Sequence, residues 1–132
     1  MATAVTAALA AATGALLLVT VAGGPAAAQG AEHVVKGTAA LRWEPGNITI
    51  KPGESVTFEV AGTPPHPVVS GDGTNPAGDG KFDSSGCTLD KMSKVGDKCT
   101  VKFPDAGTFP FFCSVHVATG MKGTIQVGNG GG

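Results

Sequence analysis

A cysteine, a histidine and a methionine lie within nine consecutive positions of the segment FFCSVHVATGMKGTIQV, residues 111–127. The spacing C-x2-H-x4-M puts Cys113, His116 and Met121 in one short turn between two stretches that have the composition of strands. Each residue alone has an ordinary explanation, because buried cysteines, core-filling methionines and surface histidines are common. A fixed spacing of all three on one turn instead predicts a metal site, to which the fold has to bring a further ligand.

The chemistry of these donors selects the metal. A thiolate, an imidazole and a thioether are soft ligands, which suit copper and are a poor set for magnesium or calcium. Two histidines and a cysteine in a trigonal plane, with a long bond to methionine, form the blue-copper electron-transfer site, so one more histidine is needed. Four side-chain ligands leave no open position for a substrate, and we therefore expect no enzymatic activity.

Two other histidines, His33 and His66, are available as the missing ligand. His33 falls close to the predicted mature N-terminus, and we expect it to be a solvated terminal residue. His66 is expected at the end of a predicted strand, and Pro64, Pro65 and Pro67 restrict the backbone around it. The sequence therefore favours His66, together with the cysteine, histidine and methionine of the turn, as the ligands of one copper.

Short apolar segments separated by glycine and proline run through the chain after residue 30. Strands with buried faces of valine, isoleucine or phenylalanine are predicted at residues 48–50, 56–60, 99–103, 108–113 and 123–127. The glycine-rich residues 71–80 are predicted to form a loop. The chain of 132 residues is long enough for one domain, and this pattern predicts an all-β sandwich.

The first thirty residues contain no charged side chain, include the apolar run LLLVTV and end in small residues. This pattern predicts an export signal over residues 1–28, cut near Ala28, and a single domain over residues 29–132. The basic residue that usually opens such a signal is missing, and the alternative is an uncleaved membrane anchor, although a spanning helix needs about 20 apolar residues. We expect an extracytoplasmic protein (periplasmic, secreted or at the cell surface), attached to a membrane only if this segment is not cleaved.

Charge and the remaining cysteines give further expectations. The formal net charge of −1 indicates no nucleic-acid partner, and we expect a monomer. Cys87 and Cys99 lie twelve residues apart with no histidine close by, so a disulfide is expected, worth about 3 kcal/mol in an oxidising compartment. Because no candidate ligand lies between these two cysteines, we expect their removal to lower stability without affecting the metal site.

The segment GTFPFFCSVHVATGMKGTIQV resembles the ligand loop of blue-copper proteins of the cupredoxin family, such as plastocyanins and pseudoazurins. The stretches WEPGNITIKPGESVTFEV and PHPVV are similar to earlier strands of that family. The resemblance implies an eight-stranded Greek-key β-sandwich, with His66, Cys113 and His116 as equatorial ligands and Met121 as the axial ligand. It also implies that the residue after the first histidine, usually asparagine, donates its N–H to the cysteine sulfur, whereas this chain has Pro67 there.

Three functions fit these residues. The first is a carrier of single electrons by Cu(I)/Cu(II) cycling between a redox donor and an acceptor, which dock where Val115, Val117 and Ala118 surround His116. The second is a copper storage or delivery protein with the same ligands. The third, a recognition module without metal, is disfavoured by the complete ligand set. A binuclear copper site would need a second cysteine in the loop, where the chain has Val117.

Overall fold

The structure, a computed structural model, describes residues 32–128. The predicted export signal, residues 1–28, lies outside the described residues. Eight strands follow one another in the order β1 Glu32–Gly37, β2 Trp43–Glu44, β3 Asn47–Ile50, β4 Ser55–Val60, β5 Val69–Ser70, β6 Lys98–Lys102, β7 Gly107–Phe112 and β8 Lys122–Val127. Two single-turn 3-10 helices, Ser85–Cys87 and Val117–Thr119, complete the regular structure of this part of the chain.

The strands form two sheets of four. The first sheet has the order β2-β1-β4-β6, and the second has the order β3-β8-β7-β5. Both sheets are mixed, because β1 runs parallel to β4 and β3 runs parallel to β8, while the other neighbours are antiparallel. The predicted eight-stranded Greek-key β-sandwich is confirmed.

The five predicted strands are present within one residue of their expected ends, and the glycine-rich residues 71–80 form no regular element. Strand β1 was not predicted, and the expectation for His33 was wrong. His33 lies in β1, is half-buried, and pairs with Glu54, with 3.1 Å between Nε2 and Oε1. All six residues of β1 pair with β4, which follows about twenty residues later, and only two pair with the short β2, so local sequence carried little sign of the strand.

Aromatic rings fill the core between the sheets. Trp43, Phe58 and Phe111 meet edge to face, with ring centroids 5.1 to 5.7 Å apart. Gly123 lies beside this cluster, and a Cβ there would come within 2.4 Å of the Phe111 ring and 2.3 Å of the Gly46 carbonyl oxygen. Glycine at position 123 thus lets β8 pack closely against the aromatic core.

The predicted disulfide between Cys87 and Cys99 is present and buried. It links Cys87 to Cys99 in strand β6 and so closes a loop over residues 87–99, which we call the disulfide loop. Met92 inside this loop is fully buried and fills the core. Within residues 32–128, no helix has the length and apolar character needed to cross a membrane.

Candidate metal centre

Three candidate ligands lie where β7 turns into β8. Cys113 directly follows β7, Met121 directly precedes β8, and His116 lies in the turn between them. The Cys113 N–H donates to the Met121 carbonyl oxygen at 3.0 Å, and the Met121 N–H donates to the His116 carbonyl oxygen at 3.3 Å. Gly120 closes the turn in the left-handed region, at φ 84°, where a side chain would be strained. The turn is therefore fixed by its own backbone.

The fourth candidate, His66, comes from a different part of the chain. It was expected at the end of a strand, but it lies three residues before β5. The ligand atoms of His66, Cys113 and His116 all lie within 4.8 Å of one another. The Cys113 Sγ is 3.6 Å from Nδ1 of His116, and the two imidazole centroids are 5.1 Å apart.

Hydrogen bonding and packing orient the His66 ring. Its Nε2–H donates to the Gly62 carbonyl oxygen at 2.5 Å, which leaves Nδ1 as the acceptor nitrogen. That Nδ1 is buried and has no hydrogen-bond partner within residues 32–128. Burial, aided by the neighbouring His116, lowers the pKa of His66, so the ring is neutral and Nδ1 keeps its lone pair at neutral pH. An unpaired buried nitrogen of this kind is what a metal ligand requires.

Gly37 in β1 supplies the surface on which the His66 ring lies. A Cβ at position 37 would come within 2.7 Å of Cδ2 and 2.9 Å of Cγ of His66. The Trp43 ring meets the imidazole from another side, with centroids 6.0 Å apart. The roles of Gly37 and of the Gly62 carbonyl were missed by sequence reasoning, because neither residue carries a chemically distinctive side chain.

Cys113 is free and fully buried. Burial raises the pKa of its thiol, and hydrogen bonding from the backbone amides of His116 and Val115 opposes that rise. Pro67, which follows His66, has no N–H to contribute. A thiol whose pKa is raised by burial becomes a thiolate only when a metal or another positive charge stabilises it.

Met121 is fully buried, as the prediction of a ligand role requires, whereas His116 is only half-buried. The residues next to His116 in the chain are apolar: Val115 is 45% exposed and Ala118 is also exposed, while Val117 is half-buried. The histidine is thus the candidate ligand nearest to solvent.

Comparisons with known proteins agree with this geometry. Residues 30–128 match the family described as copper binding proteins of the plastocyanin/azurin family. The chain belongs to this copper-binding family. It is similar to the plastocyanin of Scenedesmus fuscus, with 39% identity over 88 residues that cover 67% of this chain and 88% of the relative. The plastocyanin of Solanum tuberosum is 32% identical over 87 residues, which cover 66% of this chain and 88% of the relative.

A solved structure shows the same fold. The pseudoazurin from Methylobacterium extorquens AM1 superposes with a TM-score of 0.54 and 26% identity, over 75% of this chain and 76% of that one. Both the family and the fold therefore agree with the cupredoxin resemblance of the ligand segment.

Copper is the cofactor of this family, and the site suits one such ion. The thiol of Cys113 and the unpartnered Nδ1 of His66 are buried, and His116 Nδ1 lies 3.6 Å from the Cys113 Sγ. Two imidazoles and one thiol form the soft donor set that copper prefers. The cluster contains no carboxylate, so it offers little to magnesium or calcium.

Proposed function

We propose that the protein carries single electrons on one copper held by His66, Cys113 and His116, with Met121 as a weak axial ligand. The observation that supports this most directly is the buried, unpartnered Nδ1 of His66, a residue whose ligand atom lies within 4.8 Å of those of Cys113 and His116. The bound copper would supply the Cu(I)/Cu(II) couple. The protein would supply a site that holds the same geometry in both oxidation states.

Rigidity favours a carrier over an enzyme. The candidate ligands are held by backbone hydrogen bonds across the turn, by the bond from His66 to Gly62, and by the close approach of Gly37. A fixed site reorganises little on electron transfer, which suits fast exchange. Four candidate ligands, three of them buried, leave no open coordination position for a substrate, which supports a role without catalysis.

Electrons would enter and leave through the half-buried His116. The exposed side chains of Val115 and Ala118 lie beside it in sequence and give redox donors and acceptors an apolar, uncharged surface to dock on. Contacts of this type are small and short-lived, which allows the partner to leave after each transfer. Ala118→Asp is expected to slow electron exchange with a partner while the copper spectrum stays unchanged, and Ala118→Ser is the matched neutral control.

We also propose that the protein works as a monomer outside the cytoplasm, after removal of residues 1–28. The buried disulfide supports an oxidising compartment, since cytoplasmic proteins seldom keep such a bond. Mass spectrometry of the protein secreted or exported by its own cells tests this. A mature chain beginning near residue 29 is expected, and an intact N-terminus would contradict cleavage.

Copper storage or delivery is the alternative function, because it would use the same ligands. The two are separated by measuring reversible voltammetry and copper transfer to a competing chelator on the same sample. A carrier is expected to give a reversible one-electron wave and to retain its copper through many cycles. Rapid loss of copper to the chelator, with no reversible wave, would favour delivery.

A further inference from the structure

The disulfide loop contacts the backbone on both sides of the His66 side chain. The His66 N–H donates to the Met92 carbonyl oxygen at 2.9 Å, and the Val68 N–H donates to the Cys87 carbonyl oxygen at 3.0 Å. Pro67, between them, has no N–H. Both backbone N–H groups of residues 66–68 therefore donate to carbonyl oxygens of the disulfide loop.

Covalent and hydrogen bonds fix the loop at both of its ends. Cys87 is bonded to Cys99, which lies in β6 opposite Phe58 of β4. Near the other end, the Gly96 N–H donates to the Val60 carbonyl oxygen at 2.8 Å, and the Val60 N–H donates to the Asp97 carbonyl oxygen at 2.9 Å. Without the disulfide, the Cys87 end of the loop would lose its covalent link to the sheet.

We infer that the Cys87–Cys99 disulfide positions the copper ligand His66, by anchoring the loop whose carbonyl groups accept the amide protons of residues 66 and 68. This inference rests on the proposed function, in which His66 is a ligand. It replaces the expectation that the disulfide stabilises the fold without affecting the metal site. The two cysteines are positioning residues, since the copper would be held by other side chains.

The geometry explains why this segment needs an external anchor. His66 lies outside any strand, three residues before the two-residue β5, so no sheet holds its backbone. On the N-terminal side, the bond from His66 Nε2 to Gly62 fixes the ring but not the peptide backbone of residues 66–68. The buried Met92 side chain holds the loop against the core at the residue that accepts the His66 N–H.

The test compares three copper-free, full-length proteins: the wild type, the double variant Cys87→Ala/Cys99→Ala, and the control Ile50→Ala. Ile50 is buried and pairs with Val127 at the end of β8 remote from Met121, so its truncation lowers global stability and leaves the disulfide intact. Denaturant is adjusted until the double variant and the control have equal global stability. Hydrogen exchange of the His66 and Val68 amides is then measured by NMR.

We expect these two amides to exchange at least about tenfold faster in the double variant than in the control, because the loop opens locally. In the copper-loaded proteins, we expect the double variant to release Cu(I) to a chelator faster than the control and to show an altered charge-transfer band. If the His66 and Val68 amides exchanged at the same rates in the double variant as in the control, the inference would be overturned. If wild type failed to bind copper, the proposed function would fail while the exchange result still reported on the anchor.

A second variant is available if the double variant does not fold. The Asp97 carboxylate accepts the N–H groups of Ser93 and Lys94, at 3.0 and 2.9 Å, and so shapes the loop next to Met92. Asp97→Ala keeps the disulfide and is expected to speed exchange at His66 more than at Val68, since Val68 bonds to the anchored Cys87. Unchanged exchange at His66 in this variant would count against the inference.

Discussion

Replacing Val115 by proline should lower the reduction potential of the copper. The Val115 amide is one of two backbone donors whose hydrogen bonding lowers the pKa of the buried Cys113 thiol, and proline has no N–H. Such a bond withdraws electron density from the sulfur and favours Cu(I), whose thiolate carries more negative charge. Position 67, where the cupredoxin resemblance implies an asparagine N–H, is already proline in this chain.

The size of the shift follows from the strength of the bond. A hydrogen bond to a charged group contributes about 1.5 to 3 kcal/mol. If about half of that differs between the two oxidation states, the difference is about 0.7 to 1.5 kcal/mol, which corresponds to roughly 30 to 65 mV for one electron. We therefore expect Val115→Pro to lower the potential by about this amount.

Voltammetry at one pH measures the shift. Val115→Ala is the matched control, because it shortens the same exposed side chain and keeps the N–H, and its potential should stay close to wild type. Pro67→Asn adds an N–H donor and should raise the potential. The potential of the combined variant Val115→Pro/Pro67→Asn should therefore lie closer to that of the wild type than the potential of Val115→Pro. An unchanged or higher potential in Val115→Pro, with the optical spectrum intact, would refute the hydrogen-bond argument.

Three further predictions concern the other parts of the site. Gly37→Ala should weaken copper binding by about tenfold or more, because its Cβ would displace the His66 ring, whereas Gly86→Ala, which meets nothing within 4 Å, should bind normally in a competition titration. The copper-free protein should lose stability as pH falls below about 6.5, because the folded state lowers the pKa of His66 and the unfolded chain takes up the proton first. This dependence should be weaker in His66→Gln, and urea midpoints that change with pH equally in the two proteins would contradict the prediction. Met121→Leu should raise the potential by on the order of 50 mV, because loss of a weak axial donor disfavours Cu(II), and an unchanged potential would remove Met121 from the ligand set.

Sequence alone predicted the parts of the fold that alternate clearly. Strands β3 and β6 alternate regularly between buried and more exposed residues, and β4, β7 and β8 combine buried apolar residues with flanking turn signals; together they were sufficient to indicate an all-β sandwich. Strands β2 and β5 have only two residues each, which is too short for any periodicity. In β1, the adjacent Val34 and Val35 obscured the alternation, although Val34 is exposed and Val35 is buried.

The candidate ligands were predictable because their chemistry is distinctive. Cysteine, histidine and methionine at a fixed spacing identify a donor set even when the backbone conformation is unknown. Of the two remaining histidines, His66 was the better placed. The groups that orient the candidate ligands were not predictable. The Gly62 and Met92 carbonyls act through the backbone, which every residue has, and only the fold shows which of them face His66.

The optical spectrum of the copper-loaded protein, compared with that of Cys113→Ser, tests the central claim most directly. Thiolate-to-Cu(II) charge transfer should give wild type an intense blue colour at one copper per chain, and reduction should abolish it reversibly. Cys113→Ser, which loses the sulfur, should be colourless even if it still binds copper. A wild type without the band, or a Cys113→Ser variant that stays blue, would contradict the assignment of this site.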